Sequence, residues 1–346
     1  MKLVILYDRP HAGADPDHTD VLAQIKAVGH ALQELGHEYS ELPFSLDLMA
    51  SMHALRKLAP DMVFNLLESV EDSGRLIHLG PSLLDFLQIP YTGSPTEALF
   101  VTSNKLLTKM LLRGAGISTP ESVSMKEARC GASPLEGPYI IKSVWEHASI
   151  GIDETSIVTV KDTRRLLPEM ERRSEKLGGE YFAERYIEGR EFNLSLLVEN
   201  HVPKVLPPAE ILFDQYPDGK ARIVGYSAKW ETGSFEYCHT RRSFSSKKGE
   251  ESLLQEMAEI AKQCWHLFGL RGYARVDFRV DEQDRPWVLE INANPCLSPD
   301  AGFAAAAFEG GVEYKEVVRY IIKDIGNLHG PNRVDRHDKR GSYRPC

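Results

Sequence analysis

The chain has 346 residues, 42% hydrophobic and 26% charged, which is the balance of a folded protein and enough length for two or three lobes. A net charge of −9 argues against broad nucleic-acid binding, although a local basic groove is compatible with a nucleotide's phosphates, so small molecules are the expected ligands. No segment approaches bilayer length, so no membrane partner is expected, and five scattered cysteines without a C-x-x-C pair predict reduced thiols, no zinc centre and a cytoplasmic protein.

Residues 2–7 read as a short buried strand, followed by helical spacing over 20–35 that Gly36 stops. A helix over 46–58, a strand at 61–66, a helix over 76–87 and a third short strand at 89–91 continue the alternation, which predicts a parallel sheet covered by helices. Ligands of such sheets gather at the carboxyl ends of strands, where NLLESVEDSG would lie. Glu68, Glu71 and Asp72 there either meet a substrate amino group or form a solvated acidic loop.

A new amphipathic helix begins at Lys105, capped by Ser103 or Asn104 and ended by Gly114 and Gly116, so the first lobe is expected to close near Ser103. The strand 139–142 ends in Lys142 before the turn-like SVWEHASIG, which suits a phosphate ligand or a solvated strand end. No P-loop and no G-x-G-x-x-G is present. A helix over 164–177 precedes YFAERYIEGREFNLSLLVEN, two strands joined at 188–190. The polar stretch 227–246 has the length of a lid. Helices over 251–268 and 314–325 follow, and the basic tail 330–346 is expected to be poorly ordered.

Between those helices, YARVDFRVDEQDRPWVLEINANP reads as a β-hairpin with its turn at 281–286. Val276, Phe278 and Val280 alternate with Arg275, Asp277 and Arg279, and Val288, Glu290 and Asn292 share a face of the second strand. Centring the turn between Gln283 and Asp284 puts Asp277 opposite Glu290 and Arg275 opposite Asn292, with side chains so paired roughly 5 Å apart. Facing carboxylates repel unless a cation lies between them, and hard oxygen donors suit magnesium or manganese; a solvated charged face is the alternative.

These pieces, in this order, resemble the ATP-grasp superfamily and, within it, the D-alanine:D-alanine ligase family, over most of the chain. The resemblance rests on IPYTGS at 89–94, Lys142 with Ser149 and Gly151 after it, the stretch from Glu184 to Glu191, and the set Arg275, Asp277, Glu290 and Asn292. It implies an α/β fold, α+β in its C-terminal half: an ATP-grasp fold with an N-terminal parallel-sheet lobe over 1–103, a central lobe over 104–186, a C-terminal lobe over 187–329, and the tail. It also implies an ATP-dependent ligase in which a substrate carboxylate takes the γ-phosphate and an amine captures the acyl phosphate. Lys105 and Lys142 would hold phosphates, Glu184, Arg185 and Ile187 would line the adenine pocket, and Glu191 would bind the ribose. Asp277, Glu290 and Asn292 would hold two magnesium ions, with Arg275, Lys229 and Ser149 in catalytic roles and two copies joined through the first lobe.

The departures concern substrate. No histidine stands in NLLESVEDSG, Trp145 and His147 make the Gly/Ser loop bulkier, and Cys296 replaces a glycine. The serine that grips the acceptor carboxylate falls at Ala301 beside Asp300, and the acid of the first amino-acid site has only Asp17 or Asp20 as a counterpart. ATP-dependent ligation is therefore expected with a non-standard amino-acid-like or peptide substrate and a product other than D-alanyl-D-alanine, against the alternatives of a genuine D-alanine:D-alanine ligase or a silent ATP-binding protein.

Overall fold

The computed structural model describes residues 1–9, 16–131, 136–146, 149, 151–160 and 166–326, except the side chains of 16–19, 160 and 326. The expectations for His147 and for the tail 330–346 lie outside the described residues.

The described residues form three sheets. In the first, β1 (Lys2–Asp8) runs parallel between β2 (Glu38–Phe44) and β3 (Met62–Asn65). Leu3 and Ile5 face one core cluster and Val4 and Leu6 the other, so the unbroken apolar run reflects a strand buried on both faces. α1 (Pro16–Glu34), α2 (Leu48–Leu58), α3 (Leu79–Leu87) and α4 (Thr96–Ser103) complete this part. Sequence reasoning passed over β2: EYSELPF is an edge strand with only its last residue buried, so it has no apolar run to betray it. The expected strand at 89–91 is a single parallel bridge, Val63 to Tyr91, since Pro90 has no N–H to extend the ladder.

The second sheet is antiparallel in the order β4 (Ser122–Ser124), β7 (Tyr181–Arg185), β5 (Gly137–Ser143), β6 (Ile157–Val160). α5 (Lys105–Gly114), α6 (Met125–Arg129) and α7 (Leu166–Leu177) accompany it; the Asn104 side chain caps α5 by accepting from Leu107 N. The third sheet runs β11 (Thr240–Ser243), β10 (Ala209–Phe213), β8 (Arg190–Glu199), β12 (Tyr273–Val280), β13 (Pro286–Asn292), with β9 (Val202–Val205) also on β8. α8 (Tyr226–Trp230) and α9 (Phe235–His239) lie within the expected lid; α10 (Glu251–Leu267), α11 (Gly302–Glu309) and α12 (Tyr314–Gly326) finish the fold. The two runs of YFAERYIEGREFNLSLLVEN thus belong to different sheets. Gly189, at φ +141, makes that passage possible, because a Cβ there would sit 2.0 Å from the Val280 carbonyl oxygen.

The hairpin of β12 and β13 pairs Arg275 with Asn292 and Asp277 with Glu290, then shifts between Asp277 and Phe278 so that Phe278 meets Val288. That shift is a β-bulge with Leu289 as the extra residue. It corrects the expected side-chain order: Val288 turns into the core with Val276, Phe278 and Ile291, while Leu289 and Glu290 line the cleft. On the other side of β12, β8 places Ser195, Asn193 and Glu191 opposite Arg275, Asp277 and Arg279.

Candidate active site

A cleft of about 730 Å³ opens where the three sheets converge, and every expected site residue except Asp17 and Glu71 lines it. Asp17 stands in the first turn of α1, and its side chain is outside the described residues.

The floor is the charged row of the hairpin. Arg275 grips Asp277 with both arms, Nε to Oδ1 at 2.7 Å and Nη2 to Oδ2 at 2.9 Å. Asn193 donates to Oδ1 at 2.8 Å and Asn292 to Oδ2 at 3.2 Å. Burial raises the Asp277 carboxyl and Glu290 adds to it, while Arg275 and Lys229 pull it back. Asp277 and Glu290 face each other across the ladder with Asn292 alongside, a set of hard oxygen donors that fits a magnesium or manganese ion. Among the described residues no cluster of three or more histidine, cysteine or acidic side chains is assembled for a metal. Arg279, on the same row, pairs with Glu191 at 2.9 Å and lies over the rings of Tyr186 and Phe213. Burial raises Glu191 against the pull of Arg279.

One wall holds three ionised side chains in an apolar setting. Glu184 on β7 accepts from Lys142 of β5 at 2.6 Å and pairs with Lys109 of α5. Burial would raise Glu184, yet Lys109 and Lys142 hold it below the usual carboxylate range. Lys142 is raised in turn because Glu184 outweighs its desolvation, whereas desolvation wins at Lys109 and brings it to about 8. Lys109 also reaches Thr119 at 2.9 Å and the carbonyl of Leu289 at 3.5 Å, which occupies the backbone of the bulge. Lys105 donates to the carbonyl oxygen of Glu146 at 2.5 Å, and desolvation lowers it.

The stretch 222–230 covers this wall. Ser149, in a left-handed conformation at φ 63, donates to the Val224 carbonyl at 2.7 Å, and Tyr226 N donates to Ile152 at 3.0 Å. Gly225 permits the approach, since a Cβ there would stand 2.7 Å from the Ile152 carbonyl oxygen. Lys229 on α8 points its charge among Arg275, Glu290, Asp277 and Glu191; desolvation and Arg275 lower it.

At the opposite end the first sheet contributes. Glu68 takes a hydrogen bond from Gln24 at 2.7 Å, and although solvent reaches it through the cleft, its desolvation raises it to about 7. The Cys296 thiol donates to Asp20 at 2.8 Å, Ser298 donates to the same carboxylate, and burial pushes the thiol up. Asp300 and Ala301 stand exposed and half-buried before α11, and Arg242 of β11 lies across Gly302, an ideal Cβ there being 3.8 Å from its Nε. Burial and Arg275 lower Arg242, and Asp300 offsets part of that. Asp72 lines the cleft and Glu71 does not. IPYTGS is a junction: Thr92 accepts from Asn65 N at 2.9 Å, and Gly93 at φ +84 packs beside Asn294, whose amide joins the hairpin's end to Leu67.

The D-ala D-ala ligase C-terminus family matches residues 112–323. The D-alanine–D-alanine ligase of Thermotoga maritima is 31% identical over 302 residues, covering 86% of this chain and 89% of that one. The chain belongs to the D-alanine–D-alanine ligase family. The ligase of Gluconobacter oxydans is 28% identical over 94% of this chain and 99% of its own length. An uncharacterized protein of Sinorhizobium fredii is 29% identical over 84% of each. In fold, the Bacillus anthracis D-alanine–D-alanine ligase complexed with ATP superposes with a TM-score of 0.70 at 19% identity, covering 95% of this chain and 98% of that one. Family membership makes this chain an ATP-dependent, ADP-forming ligase with an ATP-grasp fold, and no helix among the described residues is long and apolar enough to cross a membrane.

Sequence reasoning did not single out Lys109, Asn193, Arg279, Arg242 and Ser298 as site residues, which the contacts above bring to the site. Lys109 stands four residues after Lys105 and so on the same helix face, and Arg279 continues the alternation of Arg275 and Asp277; both signals were available. Arg242 and Ser298 carried none.

Proposed function

We propose that the chain joins the carboxylate of one amino acid or small peptide to the amine of another, using ATP and passing through an acyl phosphate. What supports this is the convergence of Arg275 and Lys229 on the Asp277, Glu290 and Asn292 face of one cleft, since folding alone does not need two desolvated cations above two facing carboxylates.

In this reading Lys105 and Lys142 answer the phosphates of ATP, the segment of Glu184, Arg185 and Ile187 lines the adenine, and Glu191 meets the ribose. Glu184 acts through its lysines, holding the Lys142 ammonium charged and fixed rather than touching the base. Asp277, Glu290 and Asn292 would hold magnesium or manganese, two ions of which would supply positive charge against that gathered around the transferring phosphoryl group. Lys229 faces the γ-phosphate, and Arg275, already fixed by Asp277, faces the oxygen that turns anionic when the amine attacks. Ser149 ties the loop after β5 to the 222–225 stretch and so keeps water from the activated carboxylate.

On sequence alone Asp300 and Ala301 argue against an acceptor with a free carboxylate. Arg242 beside Asp300 supplies a cation for that group, which makes D-alanine the first acceptor to test. Phosphate release from ATP and magnesium is measured across amino acids, dipeptides and their amides. Release that depends on a carboxylate and an amine together supports the ligase, and release preferring amides to free acids supports a substrate other than D-alanine. Nucleotide binding without release under any pair contradicts the proposal.

A further inference from the structure

Any ligase of this kind faces a proton problem: the acceptor arrives as an ammonium ion, and only its neutral amine has the lone pair that attacks a carbonyl carbon. The group that removes the proton must touch the cleft, must not be locked in an ion pair, and must be charged at working pH while remaining basic enough to accept.

Of the carboxylates lining the cleft, three are locked in ion pairs and three others accept hydrogen bonds from neutral donors. Glu184 is bound by two lysines, Glu191 by Arg279, Asp277 by Arg275, and Asp20 by Cys296 and Ser298. Glu146 accepts from Gly74 N at 3.2 Å, and Asp8 from Ser69 at 2.5 Å. Glu68 differs in its place: it accepts from the neutral amide of Gln24 on one oxygen, solvent reaches it through the cleft, and both Arg275 and Lys229 face it. It stands at the carboxyl end of β3, facing Asp20 and Gln24 of α1, Arg275 of β12, Lys229 of α8, and Tyr273 and Cys296 beside the hairpin. Arg275 and Lys229 are the groups already assigned to the oxyanion and the γ-phosphate, so Glu68 looks onto the bond-forming centre from the first sheet.

Resting on the proposed ligation, we infer that Glu68 is the general base that deprotonates the acceptor ammonium. The ammonium gives one proton to the Glu68 carboxylate. The freed lone pair forms the C–N bond, and the carbonyl electrons move onto the oxygen that Arg275 faces. Collapse then breaks the C–O bond to phosphate, which leaves with that electron pair, and the second N–H proton departs with it. The carboxyl group of Glu68 returns its proton to solvent through the open side of the cleft. A value raised to about 7 suits this exchange, since the base form is then populated at neutral pH without losing basicity. Gln24, on its other oxygen, orients the carboxylate and takes no proton.

The full chain is assayed with ATP, magnesium and D-alanine as donor, and with either D-alanine or hydroxylamine as acceptor, the latter being already uncharged at neutral pH. Glu68→Gln should slow amide formation by about a hundredfold or more. It should slow hydroxamate formation far less, and amide formation should recover as pH rises and free amine accumulates. In the wild type kcat for amide formation should rise through about pH 7, and the variant should lack that limb. If both acceptors slow equally, or if the variant raises the KM for donor while keeping kcat and the limb, Glu68 binds substrate and the inference is overturned. Wild-type protein that yields neither amide nor hydroxamate with any donor of the phosphate-release panel refutes the ligase reading itself, a separate outcome.

Discussion

Glu184→Gln isolates the electrostatics of the cleft wall. The substitution keeps the shape of the side chain but leaves two ammonium groups, one fully buried and one with 13% of its side chain exposed, facing a neutral amide. Removing one partner of a buried ion pair costs about 3 to 5 kcal/mol, because the remaining charge stays desolvated. With two lysines on one carboxylate the loss should fall at the upper end, less whatever Lys109 recovers by releasing its proton, which at about 8 it does readily. The midpoint of thermal unfolding should therefore drop by roughly 6 °C or more. Adding Lys109→Met should restore more than half of the lost stability, since one stranded charge is gone. The assay is urea and thermal unfolding of the wild type, both single variants and the double variant at neutral pH. A loss below about 1 kcal/mol for Glu184→Gln would refute the reasoning, because it would mean that water or a proton shift solvates both lysines at no cost. The same group fixes a pH signature. From about pH 8 to the ordinary lysine value of 10.5 the unfolded chain keeps a proton that native Lys109 has shed, so native stability relative to Lys109→Met should rise with pH across that window.

Other changes probe the site directly. Asp277→Asn and Glu290→Gln should each abolish turnover, checked by phosphate release, with the far-ultraviolet circular dichroism of the fold retained; full activity in either would remove the metal assignment. Lys142→Ala should weaken nucleotide binding by on the order of 1.5 to 3 kcal/mol in a titration with a non-hydrolysable ATP analogue, and unchanged affinity would return Lys142 to a purely structural partner of Glu184. Arg242→Ala should raise the acceptor KM about tenfold for a free acid and leave it nearly unchanged for the corresponding amide; equal effects on both would mean that Arg242 acts on the fold rather than on the carboxylate.

The hairpin was legible because alternation fixes which residues face the cleft and a short turn fixes the register, so Arg275, Asp277, Glu290 and Asn292 could be paired from sequence. The bulge at Leu289 was not, since Thr119 and Lys109, from a distant segment, take up the carbonyls of Val288 and Leu289. Edge strand β2 lacks an apolar face and stayed hidden for the same reason that it tolerates polar residues. Asp20 and Cys296 are 276 positions apart and meet only in the folded chain, so no spacing announced that this acid is held in place by the residue that replaced a glycine. Glu184 shows a subtler limit: its position on a strand facing the cleft was readable, and so was the helix face that Lys109 shares with Lys105, but no spacing pairs residues 75 positions apart.

The central claim is that a substrate carboxylate is activated by the γ-phosphate of ATP. It is tested most directly with a donor amino acid whose carboxylate carries heavy oxygen, followed by mass spectrometry of the released phosphate and nucleotide. Attack of the carboxylate on the γ-phosphate leaves one heavy oxygen in inorganic phosphate for each amide formed, with ADP as the nucleotide product. Unlabelled phosphate, or label carried into AMP, would contradict the account.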